Sequence, residues 1–104
     1  MGGGDVDEDA VLQVLVARVR EVMAVDAVDV GLAPGAPPAA WRAVRFDEDL
    51  HADSLDLVEV VEGVERDLRR RGLAIALPDD EVAGLVTLGG AVERLLARRV
   101  EDRP

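Results

Sequence analysis

Residues 53–72 read Asp53-Ser54-Leu55-Asp56-Leu57-Val58-Glu59-Val60-Val61-Glu62-Gly63-Val64-Glu65-Arg66-Asp67-Leu68-Arg69-Arg70-Arg71-Gly72. Leu55, Val58, Val61, Val64 and Leu68 recur at spacings of three and four, which predicts one apolar stripe on an α-helix. Glu59, Glu62, Glu65 and Asp67 are expected to face outward or sideways. Leu57 and Val60 fall off the stripe and are expected to be partly exposed near the helix start. Asp53 and Ser54 are good N-cap types, and Asp56 in the first turn suits the positive end of the helix dipole. Arg69-Arg70-Arg71 suits the opposite end, with Gly72 as the cap.

Upstream, Leu12, Leu15, Val16, Val19, Val22 and Met23 give the same spacing from Asp9 to about Ala24, with Asp7 or Asp9 as the cap. Residues 25–53 form a long connection. Its Ala33-Pro34-Gly35-Ala36-Pro37-Pro38 run excludes continuous helix. Trp41 and Phe46 are expected to pin this connection to the core, because loops of such length are usually functional or held down. Downstream, Leu73-Ala74-Ile75-Ala76-Leu77 alternates like a strand but has no evident partner, so an extended loop is expected. Pro78-Asp79-Asp80-Glu81 opens a short helix reaching about Val86. Thr87 caps a last helix carrying Leu88, Val92, Leu95 and Leu96, with Val100 as a candidate at its end, and Gly89-Gly90 lets another backbone approach closely. The tail from Arg98 to Pro104 is expected to be frayed.

These segments predict an all-α fold: a small irregular four-helix bundle with a long first loop and a short third helix. The expected organisation is a flexible N-terminus over 1–7, one domain over 8–98 and a charged tail over 99–104. With 104 residues, a single modest core is the natural outcome. The apolar bulk is Val, Leu and Ala, and the only rings are Trp41, Phe46 and His51.

Charge narrows the function. The net charge is −10, and every basic residue is an arginine. Nucleic acid is therefore not an expected partner, because phosphate binding rewards cations. Basic patches on other proteins are the complementary surface. No cysteine is present, which removes disulfides, thiolate metal sites and a cysteine nucleophile. The apolar runs carry too many charges to span a bilayer, and the first residues lack the features of a secretory signal. A cytoplasmic monomer with no membrane association is the expectation.

Asp47 to Asp56 concentrates the chemistry-bearing residues. As a calcium loop it fails at the two most demanding positions: Ala52 stands where the sharp turn needs glycine, and Val58 or Val60 stands where a bidentate glutamate is needed. As a hydrolase, Ser54, His51 and Asp53 have the residue types of a triad. Three near-adjacent loop residues seldom achieve triad geometry, however, and no Gly-x-Ser-x-Gly elbow is present. Neither a catalytic nor a metal site is expected. Two readings remain open from the residues alone: Ser54 is simply an N-cap among solvated acids, or it is a modified serine.

Context separates those two. Phe46, Asp49-Leu50, Ala52-Asp53-Ser54-Leu55-Asp56, Val58-Glu59, Val61, Glu65, Leu77-Pro78-Asp79-Asp80, Leu85, Thr87-Leu88 and Ala91-Val92 fall in an order and register that resembles the acyl carrier protein family, over roughly residues 9–98. The resemblance implies a non-catalytic carrier. A phosphopantetheinyl transferase would attach 4'-phosphopantetheine from coenzyme A to Ser54, between Asp53 and Leu55, and acyl groups would ride on the arm as thioesters. Asp56, Glu59, Glu62 and Glu65 would meet the basic patches of acyl-loading, ketosynthase or acyltransferase-type enzymes, while Leu55, Leu57 and Val60 would add an apolar contact. Val58, Val61, Leu85 and Leu88 are expected as ordinary core residues, and the same four are the candidate lining of a shelter for the acyl chain.

The chain departs from the family pattern at His51, where glycine is usual, and in its longer first loop and Arg69–Leu77 segment. These departures point to a specialised polyketide or fatty-acyl pathway. An unmodified acidic helical adaptor is the alternative from another class.

Overall fold

A computed structural model of the chain describes residues 7–100. Of the expected N-terminal lead-in only Asp7 lies within that range, and residues 101–104 of the expected tail lie outside it. The all-α architecture is as the sequence predicts. Helix α1 spans Glu8–Met23, α2 Ser54–Arg70, α3 Asp79–Val82 and α4 Leu88–Ala97. The long connection contains two 3-10 turns, Ala27–Val30 and Pro38–Ala43.

Asp7 caps α1, its Oδ1 accepting from the Ala10 N–H at 2.9 Å. Leu12, Leu15 and Val19 are fully buried on one face of α1, beside Val11, Val14 and Val16. The helix ends at Ala24, which takes a left-handed conformation with φ +56°.

Trp41 and Phe46 are both buried and hold the long connection on the core. Its last part is stitched to the segment before α4: the Phe46 N–H donates to the Val86 carbonyl at 2.9 Å and the Leu88 N–H to the Val44 carbonyl at 3.0 Å. Arg45 and Thr87 form an isolated antiparallel bridge between these bonds.

The buried face of α2 differs from the expected stripe. Leu57, Val60, Val61, Val64 and Leu68 are buried, whereas Leu55 is 78% exposed and Val58 half-buried. The two readings differ by a small rotation about the helix axis, and α1 decides between them. Gly63 lies beneath the Arg18 stem: a Cβ at that position would stand 2.6 Å from Arg18 Cδ. Arg18 then reaches Asp67, with Nη2 2.6 Å from Oδ2. This crossing turns the Leu57–Val60–Val64 side inward.

The segment after α2 is not an unpaired loop. Ala74–Ile75, here β1, pairs antiparallel with Arg99–Val100, β2, matching Ala74 to Val100 and Ile75 to Arg99. Leu73, Ile75 and Leu77 are buried while Ala74 and Ala76 are exposed, the period-two pattern of a half-buried strand. The partner lay in the stretch expected to be frayed: Arg98 is the C-cap of α4, and Arg99 and Val100 form the second strand.

Helix α3 is shorter than the Val86 end expected for it, closing in tight turns in which the Gly84 N–H donates to Glu81 and the Leu85 N–H to Val82. Glu81 ties α3 to α4 through Arg94, at 3.2 Å, and through Arg98. Thr87 caps α4, its Oγ1 accepting from the Gly90 N–H at 3.0 Å. Gly89 is buried, and a Cβ there would lie 3.2 Å from the Arg42 carbonyl oxygen, so the close backbone approach expected of the glycine pair occurs at Gly89.

Candidate functional site

The start of α2 is built by its own side chains. Asp53 is extended, with φ −95° and ψ −176°, and its Oδ1 accepts from the Asp56 N–H at 2.9 Å. Asp56 reciprocates, its Oδ2 accepting from the Asp53 N–H at 3.1 Å. This reciprocal box satisfies two backbone donors that a helix start otherwise leaves open. The capping residue is therefore Asp53. Ser54 is the first helical residue, exposed, and its hydroxyl makes no hydrogen bond within the described residues.

The loop that delivers Ser54 is fixed by the backbone. The Ala52 N–H donates to the Phe46 carbonyl at 2.8 Å, and the His51 N–H to the Asp47 carbonyl at 3.1 Å. His51 has φ +54°, the left-handed region that favours glycine. The loop acids are engaged within the loop. Asp47 Oδ1 accepts from Arg45 Nε at 3.2 Å and from the Glu48 N–H at 2.7 Å. Asp49 Oδ2 accepts from the Arg45 N–H at 2.8 Å. The Arg45 guanidinium and the Glu48 N–H hold the Asp47 carboxyl below the usual carboxylate range. Among the described residues no three acidic or histidine side chains converge as a metal site would require. His51 makes no side-chain hydrogen bond to Ser54 or to an acid, so no triad is assembled.

Ser54 stands at the rim of a surface cleft of about 550 Å³. Phe46, Asp47 and Ala52 to Ser54 line it with Leu57, and Ala83 to Val86 line it from the segment between α3 and α4. Of the residues expected to line an apolar shelter, only Leu85 reaches this cleft. Val61 and Leu88 are core residues, and Val58 lies outside the lining. The sequence missed Ala83, Gly84 and Val86, because they were read as the end of a longer third helix. The solvent-facing Val86, 48% exposed, is the clue that this wall is a loop.

Leu55, Glu59 and Glu62 point outward beside Ser54, and Asp56 is half-buried in the cap. Leu57 and Val60, expected as partly exposed docking contacts, are 8% and 1% exposed. They belong to the core for the rotational reason given above, although Leu57 also touches the cleft. Glu65 is engaged as well: its Oε2 accepts from the Leu77 N–H at 2.8 Å and pins the segment before α3.

Proteins described as acyl carrier protein resemble part of this chain. The one from Sulfurovum sp. (strain NBC37-1) is 41% identical over 49 residues, covering 47% of this chain and 59% of that protein. The one from Prochlorococcus marinus (strain MIT 9515) is 38% identical over 55 residues, 53% of this chain and 62% of that protein. The one from Acidothermus cellulolyticus is 44% identical over 48 residues, 46% of this chain and 51% of that protein. The chain thus spans between half and two thirds of the length of these curated relatives. No family model matches the chain. No solved structure matches it either. A helical bundle that presents Asp53-Ser54-Leu55 at the exposed start of its acidic second helix, with this similarity running through about half the chain, resembles the acyl carrier protein family.

Proposed function

We propose that the chain is a non-catalytic carrier, holding acyl groups on a 4'-phosphopantetheine arm esterified to Ser54. The observation that carries this reading is the placement of Ser54: exposed, first in α2, free of internal hydrogen bonds and at the rim of a cleft. In the loading step a transferase removes the hydroxyl proton, and Ser54 Oγ attacks the β-phosphorus of coenzyme A. The new O–P bond forms as the pyrophosphate link breaks and adenosine 3',5'-bisphosphate leaves. The arm supplies a terminal thiol, which this cysteine-free chain lacks.

The chain's own part is to present and orient. The N–H groups of Ser54 and Leu55 have no protein acceptor within the described residues and would be available to the phosphodiester at the positive helix end. The Asp53 and Asp56 carboxylates repel the same phosphate, so the arm is tethered rather than clamped. Phe46, Leu57, Leu85 and Val86 give the cleft an apolar side suited to the first carbons of a cargo. Leu55, Asp56, Glu59 and Glu62 form the docking face for the transferase and for acyl-loading, ketosynthase or acyltransferase-type enzymes. Their association should slow steeply with salt. The left-handed His51 and the paired β1 segment support a specialised polyketide or fatty-acyl pathway.

Mass spectrometry tests the assignment. Incubation with coenzyme A and a broad-specificity transferase should add one phosphopantetheine, and Ser54→Ala should abolish the addition. An unchanged mass with several competent transferases would refute the carrier reading and favour an unmodified acidic adaptor.

A further inference from the structure

We propose that the arginine-rich end of α2 is a second docking surface, for an acidic protein segment. Helix α2 is electrically divided. Its first part carries Asp56, Glu59 and Glu62, whereas its end carries Arg66, Arg69 and Arg70, followed by Arg71 as the C-cap. From residue 66 to residue 78 the only acid is Asp67. Asp67 is already held by Arg18 at 2.6 Å, with Arg70 at the 4.0 Å limit.

In a chain this rich in acids, Arg20, Arg42, Arg45, Arg94 and Arg98 all find carboxylate partners. Arg69 and Arg71 are exposed and make no side-chain hydrogen bond or ion pair with any described residue, while the exposed Arg66 acts on neighbouring Asp67 only through its charge. The helix dipole favours cations in the last turn, but it does not require that they be left unneutralised beside so many acids.

The two poles act separately. Seventeen residues of helix span about 25 Å, while charges are screened over about 8 Å at physiological ionic strength. A partner at the arginine end therefore meets local positive charge despite the net charge of −10. Beside these arginines runs a groove of about 440 Å³ between α1 and α2, lined by Gln13, Val14, Ala17, Asp67, Arg70 and Arg71. Its small apolar floor suits the side chains of a polypeptide, and guanidinium forks suit carboxylates. A lipid surface fits less well. Among the described residues the large exposed apolar side chains are Val28, Leu55 and Val86, none of them in this groove, and a bilayer would act on the whole acidic molecule.

The proposal is independent of the modification at Ser54, and its test keeps the two apart. The probe is a synthetic glutamate-rich peptide with interspersed leucines, titrated into the isotopically labelled full chain. Amide shifts are expected at residues 13–17 and 66–71, with affinity falling about tenfold in Arg69→Gln/Arg71→Gln and unchanged in Ser54→Ala. Both arginines are exposed, and a thermal melt of the double variant verifies its fold. Shifts absent from these residues, or affinity unaltered in the double variant, would overturn the proposal. So would recruitment to phosphatidylglycerol vesicles, lost in the same variant, from a chain that ignores the peptide.

Discussion

Replacing His51 with glycine should stabilise the fold. His51 is exposed, has φ +54° and contributes its backbone N–H to the Asp47 carbonyl. Its side chain makes no hydrogen bond with a described residue, so the substitution acts almost wholly on the backbone. A left-handed conformation costs an L-residue about 1–2 kcal/mol, and histidine falls at the low end because it is enriched in that region. Glycine relieves this cost but loses more freedom on folding, about 0.5–1 kcal/mol. The net gain is at most about 0.5 kcal/mol, or about 2–4 °C in melting temperature for a domain of this size. Urea denaturation is the assay, with a higher midpoint expected at an unchanged slope.

His51→Val should move the midpoint the other way, because a β-branched residue is a true outlier at positive φ. Ala24→Gly is the internal standard, relieving φ +56° at the end of α1. A raised midpoint for Ala24→Gly with an unchanged or lowered one for His51→Gly would refute the reasoning. It would mean that the imidazole stabilises the loop by a route other than the backbone.

Gly63→Ala should be neutral to within about 0.5 kcal/mol, because the gain of about 1 kcal/mol in helix propensity is offset by displacement of Arg18. The Asp67 carboxyl should then titrate at higher pH by NMR, and an unmoved titration would show that Arg18 does not cross there. Glu65→Ala should cost about 1–3 kcal/mol by orphaning the Leu77 N–H, with Glu65→Gln milder; equal denaturation midpoints for wild type and Glu65→Ala would contradict it. The Arg18 hydrogen bond lowers the Asp67 pKa. Its stabilisation is therefore complete above the unfolded value of about 3.9 and is lost as pH falls through the lower folded value. Asp67→Asn should weaken the fold at neutral pH by about 1 kcal/mol and flatten the acid limb of the stability curve; an unaltered limb would count against the pair.

Legibility in the sequence followed how local each cause is. The caps of α2 and α4 lie within four residues of what they cap, so Asp53, Asp56 and Thr87 were readable. The rotation of α2 was not. Leu55-Val58-Val61 and Leu57-Val60-Val64 are both acceptable stripes in isolation, and the choice belongs to Arg18, far away in the chain. The β1–β2 pair was missed for the same reason: Leu73 to Leu77 alternates as a strand should, but its partner lies beyond α4. Ser54 was legible as a candidate because its surroundings repeat a family register. The cleft beside it was not, since its far wall depends on α3 stopping at Val82.

The acids of this chain do different work, and the structure sorts them. Asp7, Asp53 and Asp56 cap helices; Glu65 holds the Leu77 backbone; Glu81, Asp67 and Asp47 are paired with arginines. A carboxylate already satisfied by a neighbouring guanidinium offers little to a basic partner, since breaking one pair to make another gains almost nothing. The negative charge available for docking beside Ser54 is therefore carried mainly by Glu59 and Glu62, which are exposed and unpaired among the described residues. On the proposed carrier reading, net charge would draw a basic partner toward the molecule, and these two side chains with the bare Leu55 would direct where it lands. The reciprocal box between Asp53 and Asp56 sustains that arrangement. By closing the helix start without using the serine, it leaves the Ser54 hydroxyl exposed and unengaged, as the proposed modification requires.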